Sequence, residues 1–360
     1  MTTIIDDPTS LLQLSGDLAQ QPAIGLDTEF MRERTYFARL CLLQLSSGSR
    51  SVCIDTLALP DLSALRATMS APSIIKVLHA ARQDLEVLAP ATGALVGLFD
   101  TQVAAALIGL PAQIGYGALV HELLGHNLHK AETRTDWSRR PLSAAQIEYA
   151  LDDVHHLLPL RERLTEALQR LGRWLWFMEE MAVLDASGPF VTEPDQAWRR
   201  IKGVSDLDES RQQLAQQLAA WRERRAINSD RPRSWILPDA ALREMVLRVP
   251  RSARDLSAIE ELPEGIRNNS GAELISLIDS LRMPTQLPAL PQRQRREPAQ
   301  EDLVRKLSQV TQQTGRELGI APEILATRRE LERLVAGSRD GGPMTGWRRS
   351  VIGSRLLQSL

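Results

Sequence analysis

At 360 residues the chain is too long for one average core, so two or three domains are expected. With 43% hydrophobic and 24% charged residues, it has the composition of a soluble globular protein, and no apolar stretch approaches the length of a membrane span. The net charge of −2 hides an asymmetry: residues 1–195 carry 15 Lys+Arg against 24 Asp+Glu, net −9, and residues 196–360 carry 28 against 21, net +7. An acidic half joined to a basic half suggests a catalytic part that needs cations and a tail that grips a polyanion. An arginine-rich composition with only four lysines is the other explanation. The N-terminus lacks the basic and apolar regions of a signal peptide, and Cys41 and Cys53 sit in apolar runs without metal-type spacing. Buried thiols, a reducing compartment and a cytoplasmic location are expected.

In chain order, Asp7-Pro8-Thr9-Ser10 caps a short amphipathic helix over Leu11–Leu18, and the strand Ala23–Phe30 follows. Its end, Leu26-Asp27-Thr28-Glu29-Phe30, places Asp27 and Glu29 on one face, because strand side chains alternate. Two carboxylates side by side on a buried strand end repel each other unless a cation lies between them, and hard oxygen ligands suit magnesium or manganese. A strand end that tips into solvent is the alternative. The runs Leu40–Ser46 and Ser51–Asp55, separated by Gly48-Ser49, form a hairpin. Ser63–Met69 is a helix, Ile74–Leu78 a buried strand and His79–Leu88 a helix with Asp84 in its first turn, facing the sheet's end or solvent. Helices dominate beyond Thr101, so the first domain is a mixed sheet covered by helices. Gly115-Tyr116-Gly117 is a helix-entry loop without the lysine of a phosphate cradle. Ser143 caps a helix on which Ile147, Leu151 and Val154 form the apolar stripe. Tyr149 and Asp153, four apart, stack on one face of it, as such pairs do in many helices.

The order Asp-x-Glu on a strand, a later helix Asp, then Tyr-x-x-x-Asp resembles the DEDD superfamily of 3′→5′ exonucleases, Tyr subtype. The flanking words resemble the ribonuclease D family within it: Leu26–Phe30, Thr35-Tyr36 with Leu40–Gln44, His79-Ala80-Ala81-Arg82-Gln83-Asp84, Phe99-Asp100-Thr101-Gln102 and Tyr149–Leu158. The resemblance implies an α/β, ribonuclease H-like exonuclease domain over residues 1–190. It also implies that Asp27, Glu29, Asp84 and Asp153 hold two Mg²⁺ or Mn²⁺ ions and that Tyr149 positions the attacking water. The His subtype carries histidine where this chain has Glu148. Nucleoside 5′-monophosphates would leave one at a time from a 3′-OH end. Phe30 and Met31 either stack on the terminal base or pack in the core, and His79 either contacts the scissile region or is a satisfied structural histidine. Arg139 and Arg140 meet phosphates or are ordinary loop arginines.

In the second half, Arg161–Met181 continues as one long helix, and Asp185-Ala186-Ser187-Gly188-Pro189 with Glu193-Pro194-Asp195 forms a linker. The strings Leu218-Ala219-Ala220-Trp221-Arg222-Glu223 and Pro232-Arg233-Ser234-Trp235-Ile236-Leu237 are similar to the helicase-and-ribonuclease-D C-terminal (HRDC) domain, which implies a small all-α nucleic-acid-binding module over residues 206–286. Arg222, Arg225 and Arg233 are its candidate phosphate contacts, against a solvated basic face as the alternative. Met283–Glu297 is a linker. Beyond it, Glu323-Ile324-Leu325-Ala326 parallels Trp235-Ile236-Leu237-Pro238, which suggests a degenerate second copy over residues 300–358 without the Trp-Arg-Glu string. The implied partner is RNA, namely transfer-RNA precursors with 3′ extensions, bound by a monomer away from membranes. A DNA-directed exonuclease and a catalytically dead RNA-binding scaffold are the rivals; the scaffold would lack at least one acid, and all four are present.

Overall fold

The computed structural model describes residues 4–48, 50–128, 135–186, 193–204, 207–281 and 298–360. The chain divides into two units, one of Met1–Met31, Leu40–Phe190 and Arg296–Leu360, the other of Arg32–Arg39 and Val191–Arg295.

In the first unit, strand β1 (Ile4–Ile5) leads into helix α1 (Pro8–Leu18). The Asp7 carboxylate accepts from the N–H groups of Thr9 and Ser10, and Pro8 takes the first helical position, where a missing N–H costs nothing. Strands β2 (Ala23–Met31), β3 (Arg39–Ser46), β4 (Ser51–Ile54), β5 (Ile75–Leu78) and β6 (Leu98–Asp100) complete a sheet of order β1-β4-β3-β2-β5-β6. β3 and β4 pair antiparallel as the expected hairpin, of which Ser49 lies outside the described residues. β1 with β4, β2 with β5, and β5 with β6 are parallel, so the sheet is mixed. Helix α2 (Arg66–Ser70) precedes β5, and α3 (Arg82–Thr92) supplies the crossover from β5 to β6 that a parallel pair requires. Helices α4 (Thr101–Ile108), α5 (Tyr116–Leu124), α6 (Ala144–His155), α7 (Leu157–Arg170) and α8 (Trp174–Asp185) follow.

Two expectations change. The helix expected from His79 starts at Arg82, because Ala80 adopts φ +56° while the N–H groups of Ala80 and Ala81 bond the Asp100 carboxylate at 3.1 and 2.9 Å. The single helix expected over Arg161–Met181 breaks at Gly172, whose φ of +68° lets the Arg173 N–H reach back to the Leu168 carbonyl at 2.8 Å. The apolar core of this unit includes Ile24 and Leu26 of β2, Leu43 of β3, Val77 of β5 and Leu157, Leu160, Leu164 and Leu168 of α7. A Cβ at Gly25 would lie 3.2 Å from Leu157 Cβ and 3.3 Å from the Val154 carbonyl oxygen, so glycine is what lets the α6–α7 junction sit against β2.

The second unit is all-α: α9 (Glu209–Ser229), α10 (Arg233–Ile236), α11 (Asp239–Arg248), α12 (Ala253–Ser257) and α13 (Glu264–Ser280) surround Leu214, Leu218, Leu242, Met245, Val246 and Leu274. The linker over Met283–Glu297 and the Ser187–Pro189 part of the earlier one lie outside the described residues. The chain then rejoins the first unit with α14 (Pro298–Leu318), α15 (Pro322–Leu325) and α16 (Arg328–Val335). Leu307, Leu325, Leu331, Trp347 and Leu356 belong to the same apolar core as the sheet. The single-turn helices α10 and α15 each end on an extended residue, Leu237 (φ −161°) and Ala326 (φ −159°), before the next helix begins.

Candidate active site

Strand alternation sends Asp27 and Glu29 to the face of β2 against which α6 packs. The register of α6 is fixed at its start by a reciprocal cap between Ser143 and Gln146. At its end, the Tyr116 hydroxyl donates to the Asp152 carbonyl (3.1 Å) and accepts from the His156 N–H (3.2 Å). Tyr149 and Asp153 thereby face the strand, and single carboxylate oxygens of Asp27, Glu29 and Asp153 all lie within 4.8 Å of one another. Asp84, buried in the first turn of α3, stands beside this trio, and its Oδ1 accepts the Thr28 hydroxyl at 2.5 Å. Asp100 anchors the entry to α3 and also caps α4 through the N–H groups of Gln102 and Val103.

The four acids are held in conditions that oppose ionisation. Burial raises Asp27 well above the usual carboxylate range, and the charges of Asp84, Asp153 and Glu29 push it further. Burial, then Asp153 and Asp84, lift Glu29 to about 8. Asp84 rises to about 7 by burial despite the hydroxyl of Thr28, and Asp153 to about 7 by burial despite its hydrogen bond with Tyr149. Unfolded, the same groups titrate near 4, so between pH 4 and about 7 the native state holds protons that the unfolded chain has released. The contribution of these four acids to the stability of the metal-free protein is therefore fully present below pH 4 and lost as pH rises through the native values. Thermal melts in EDTA should show a lower Tm at pH 8 than at pH 5.5; a rising Tm over that interval would contradict this electrostatic picture.

Tyr149 lies beside Asp153, its ring 6.2 Å from that of buried Trp137. Burial, then the charges of Asp153 and Glu29, raise its phenol above the ordinary tyrosine value, so it stays neutral through the physiological range. Met31 is half-buried against the cluster of Cys41, Leu42, Cys53 and Trp137, and Phe30 is also half-buried. Both ring nitrogens of His79 have protein partners: Nδ1 lies 2.9 Å from Thr101 Oγ1 and Nε2 3.0 Å from the Ile114 carbonyl. Arg140 is tied to both oxygens of Asp55 at 2.5 and 2.8 Å and to the Cys41 carbonyl, while Arg139 is exposed beside Asp136.

Each of the arginines expected to contact phosphate has a protein partner. Arg222 is buried and pairs with Asp239 at 2.5 Å, Arg225 pairs with Glu273 at 2.9 Å, and Arg233 pairs with the buried carboxylate of Glu223 at 2.7 Å. Arginine count alone does not distinguish such pairs from a phosphate-binding face. Thr28, Asp100 and Tyr116 are supporting residues to which the sequence reading assigns no role, although Thr28 lies between two acids, Asp100 in the Phe99–Gln102 word and Tyr116 in a helix-entry loop.

Clustered, mutually repelling carboxylate oxygens are the donor set of a hard divalent cation, so the residues fit the metal chemistry of the DEDD exonucleases. The family model described as 3′-5′ exonuclease matches residues 2–169, and the HRDC domain model matches residues 211–278. Ribonuclease D of Granulibacter bethesdensis is 38% identical, covering 99% of this chain and 91% of its own. Ribonuclease D of Pseudomonas paraeruginosa is 36% identical over 99% and 96%. The crystal structure of Escherichia coli RNase D, described as an exoribonuclease involved in structured RNA processing, superposes with a TM-score of 0.88 at 31% identity, covering 100% of this chain and 98% of that one. A protein from Bifidobacterium adolescentis, at 20% identity and a TM-score of 0.66, shares the fold. With end-to-end relatives of one kind and an exonuclease match over the domain that carries the acids, the chain belongs to the ribonuclease D family of 3′→5′ exoribonucleases.

Proposed function

We propose that the enzyme trims the 3′ ends of transfer-RNA precursors in the cytoplasm as a monomer, releasing nucleoside 5′-monophosphates. Asp27, Glu29, Asp84 and Asp153 hold two divalent cations, Mg²⁺ or Mn²⁺. The observation that carries this reading is the meeting of Asp27, Glu29 and Asp153 beside Tyr149, from elements some 120 residues apart in the chain. Cations bound there neutralise charge on the scissile phosphate and make water nucleophilic near neutral pH. Tyr149, neutral because its acidic neighbours oppose its ionisation, orients that water as a hydrogen-bond partner and need not remove its proton. Thr28 holds Asp84 in place, and Tyr116 holds the end of α6 behind Asp153.

Residues 1–190 form the exonuclease domain and 206–286 the HRDC domain. We read 300–358 as a degenerate second copy, supported by the parallel between α10 and α15. Its shared core with the sheet supports a structural role.

The reading is tested with a 3′-extended transfer RNA and a matched single-stranded DNA, each with Mg²⁺ and then with EDTA. Metal-dependent shortening of the RNA from its 3′ end to mononucleotides is expected. Preference for the DNA would favour the DNA-directed alternative, and inactivity on both would favour the scaffold. Tyr149→Phe should lower kcat by about 100-fold, the scale of a lost proton-handling or orienting group. Wild-type rate should show no alkaline limb from phenol ionisation below pH 9. Undiminished kcat in the variant would remove Tyr149 from the mechanism.

A further inference from the structure

The segment that follows the acid-bearing strand is built into the other unit. β2 ends at Met31, two residues beyond Glu29, and Arg32–Arg39 then groups with Val191–Arg295. Within that unit the segment is fastened at two points. The Asp230 Oδ1 accepts from the backbone N–H groups of both Tyr36 and Phe37, each at 3.0 Å. The Tyr36 hydroxyl bonds the carboxylate of Glu223, which is fully buried on α9. Arg233 closes the arrangement: its Nε and one terminal nitrogen each donate to Glu223 at 2.7 Å, that nitrogen lies 3.1 Å from the Tyr36 hydroxyl, and its guanidinium sits 4.8 Å over the Tyr36 ring.

A connection of seven residues between two strands is ordinarily a mobile surface loop. A buried carboxylate is ordinarily a liability unless well paired. Here each resolves the other, because Glu223 gains its partners only with Tyr36 and Arg233 in place. Asp230 is itself fixed as the left-handed residue that ends α9 (φ +46°, ψ +49°). From Met31 to Tyr36 the chain has five residues, which span at most about 17 Å.

We propose that Tyr36 and Asp230 are positioning residues: a clamp through which the HRDC unit sets the conformation of Phe30 and Met31 beside the acidic pair. This rests on the assignment of the β2 acids to catalysis. The unit then contributes to turnover through the chain itself, in addition to any grip on RNA. Phe30 and Met31, the residues weighed as base-stacking elements, are the nearest recipients.

Two full-length variants separate clamp from fold. Tyr36→Phe keeps the ring under Arg233 and loses the hydroxyl; Asp230→Gly loses the acceptor yet suits a left-handed helix end. Each should lower kcat by about tenfold on both a short single-stranded oligoribonucleotide and a 3′-extended transfer RNA, the scale of a modest misplacement of reacting groups. KM on the oligonucleotide and Tm should stay near wild type. Deuterium exchange should quicken through Phe30 and Met31 as well as at Tyr36 and Phe37. Wild-type kcat in both variants, or quickened exchange confined to Tyr36 and Phe37, would overturn the clamp. Exchange also decides the matter if the wild-type protein hydrolyses neither RNA, a result that would count against the assignment of the acids instead.

Discussion

Asp27→Asn is expected to lower exonuclease turnover on the order of 10³-fold or more while raising the Tm of the metal-free protein at pH 8. The two effects share one cause. Asp27 is buried among Asp84, Asp153 and Glu29, and each of those charges disfavours its own. An amide of the same shape removes that repulsion, so the apo fold gains stability. It also removes a hard anionic donor from the cluster, and with it the electrostatic stabilisation on which phosphodiester cleavage depends. Steady-state rates on RNA and melts in EDTA check both halves. A variant that keeps its activity, or that melts below wild type in EDTA at pH 8, would show that Asp27 is an ordinary strand-end acid.

Trp347→Ala should produce the largest loss of stability, about 3–5 kcal/mol, because a buried tryptophan leaves a cavity that its surroundings cannot fill. The ring stacks on Trp176 of α8 at 4.5 Å and 12° between planes, and its Nε1 donates to Glu180 at 2.6 Å. Its backbone N–H donates to Glu179 at 2.7 Å, and Arg348, 4.7 Å over the ring, also reaches Glu180 at 2.5 Å. Both glutamates lie on α8 of the exonuclease domain, so the C-terminal segment completes that domain's core. Scanning calorimetry should show the transition of this unit falling on the order of 10 °C. An unshifted transition would show that the segment folds independently. Removal of residues 200–360, an obvious test of RNA binding by the second half, would also strip this part of the core and confound affinity with folding.

The shared face of Asp27 and Glu29, and that of Tyr149 and Asp153, was legible in the sequence because strand alternation and one helical turn fix them, whereas the facing of Asp84 was left open. The caps at Ser143 and Asp7 were legible for the same local reason. What long-range contacts decide was not. Arg222 and Arg233 look like surface cations until Asp239 and Glu223 are brought to them, and the partners of His79 are open until Thr101 and Ile114 are placed beside its nitrogens. The late start of α3 depends on Asp100, from another strand. The break at Gly172 was within reach, since glycine followed by a residue whose N–H can turn back is a helix stop, but the apolar pattern runs through it. The return of residues 296–360 to the first unit follows from apolar contacts that no linear pattern reports.

Calorimetric titration of Mn²⁺ into the full-length protein at pH 8 and at pH 5.5, for wild type and Asp27→Asn, tests the central claim most directly. If mutual repulsion of buried carboxylates is what makes the site, wild type should bind two ions at pH 8 and much more weakly at pH 5.5, where Glu29, Asp84 and Asp153 retain their protons. The Asp27→Asn protein should lose that binding. Equal affinity at the two pH values, or undiminished binding by the variant, would contradict the account.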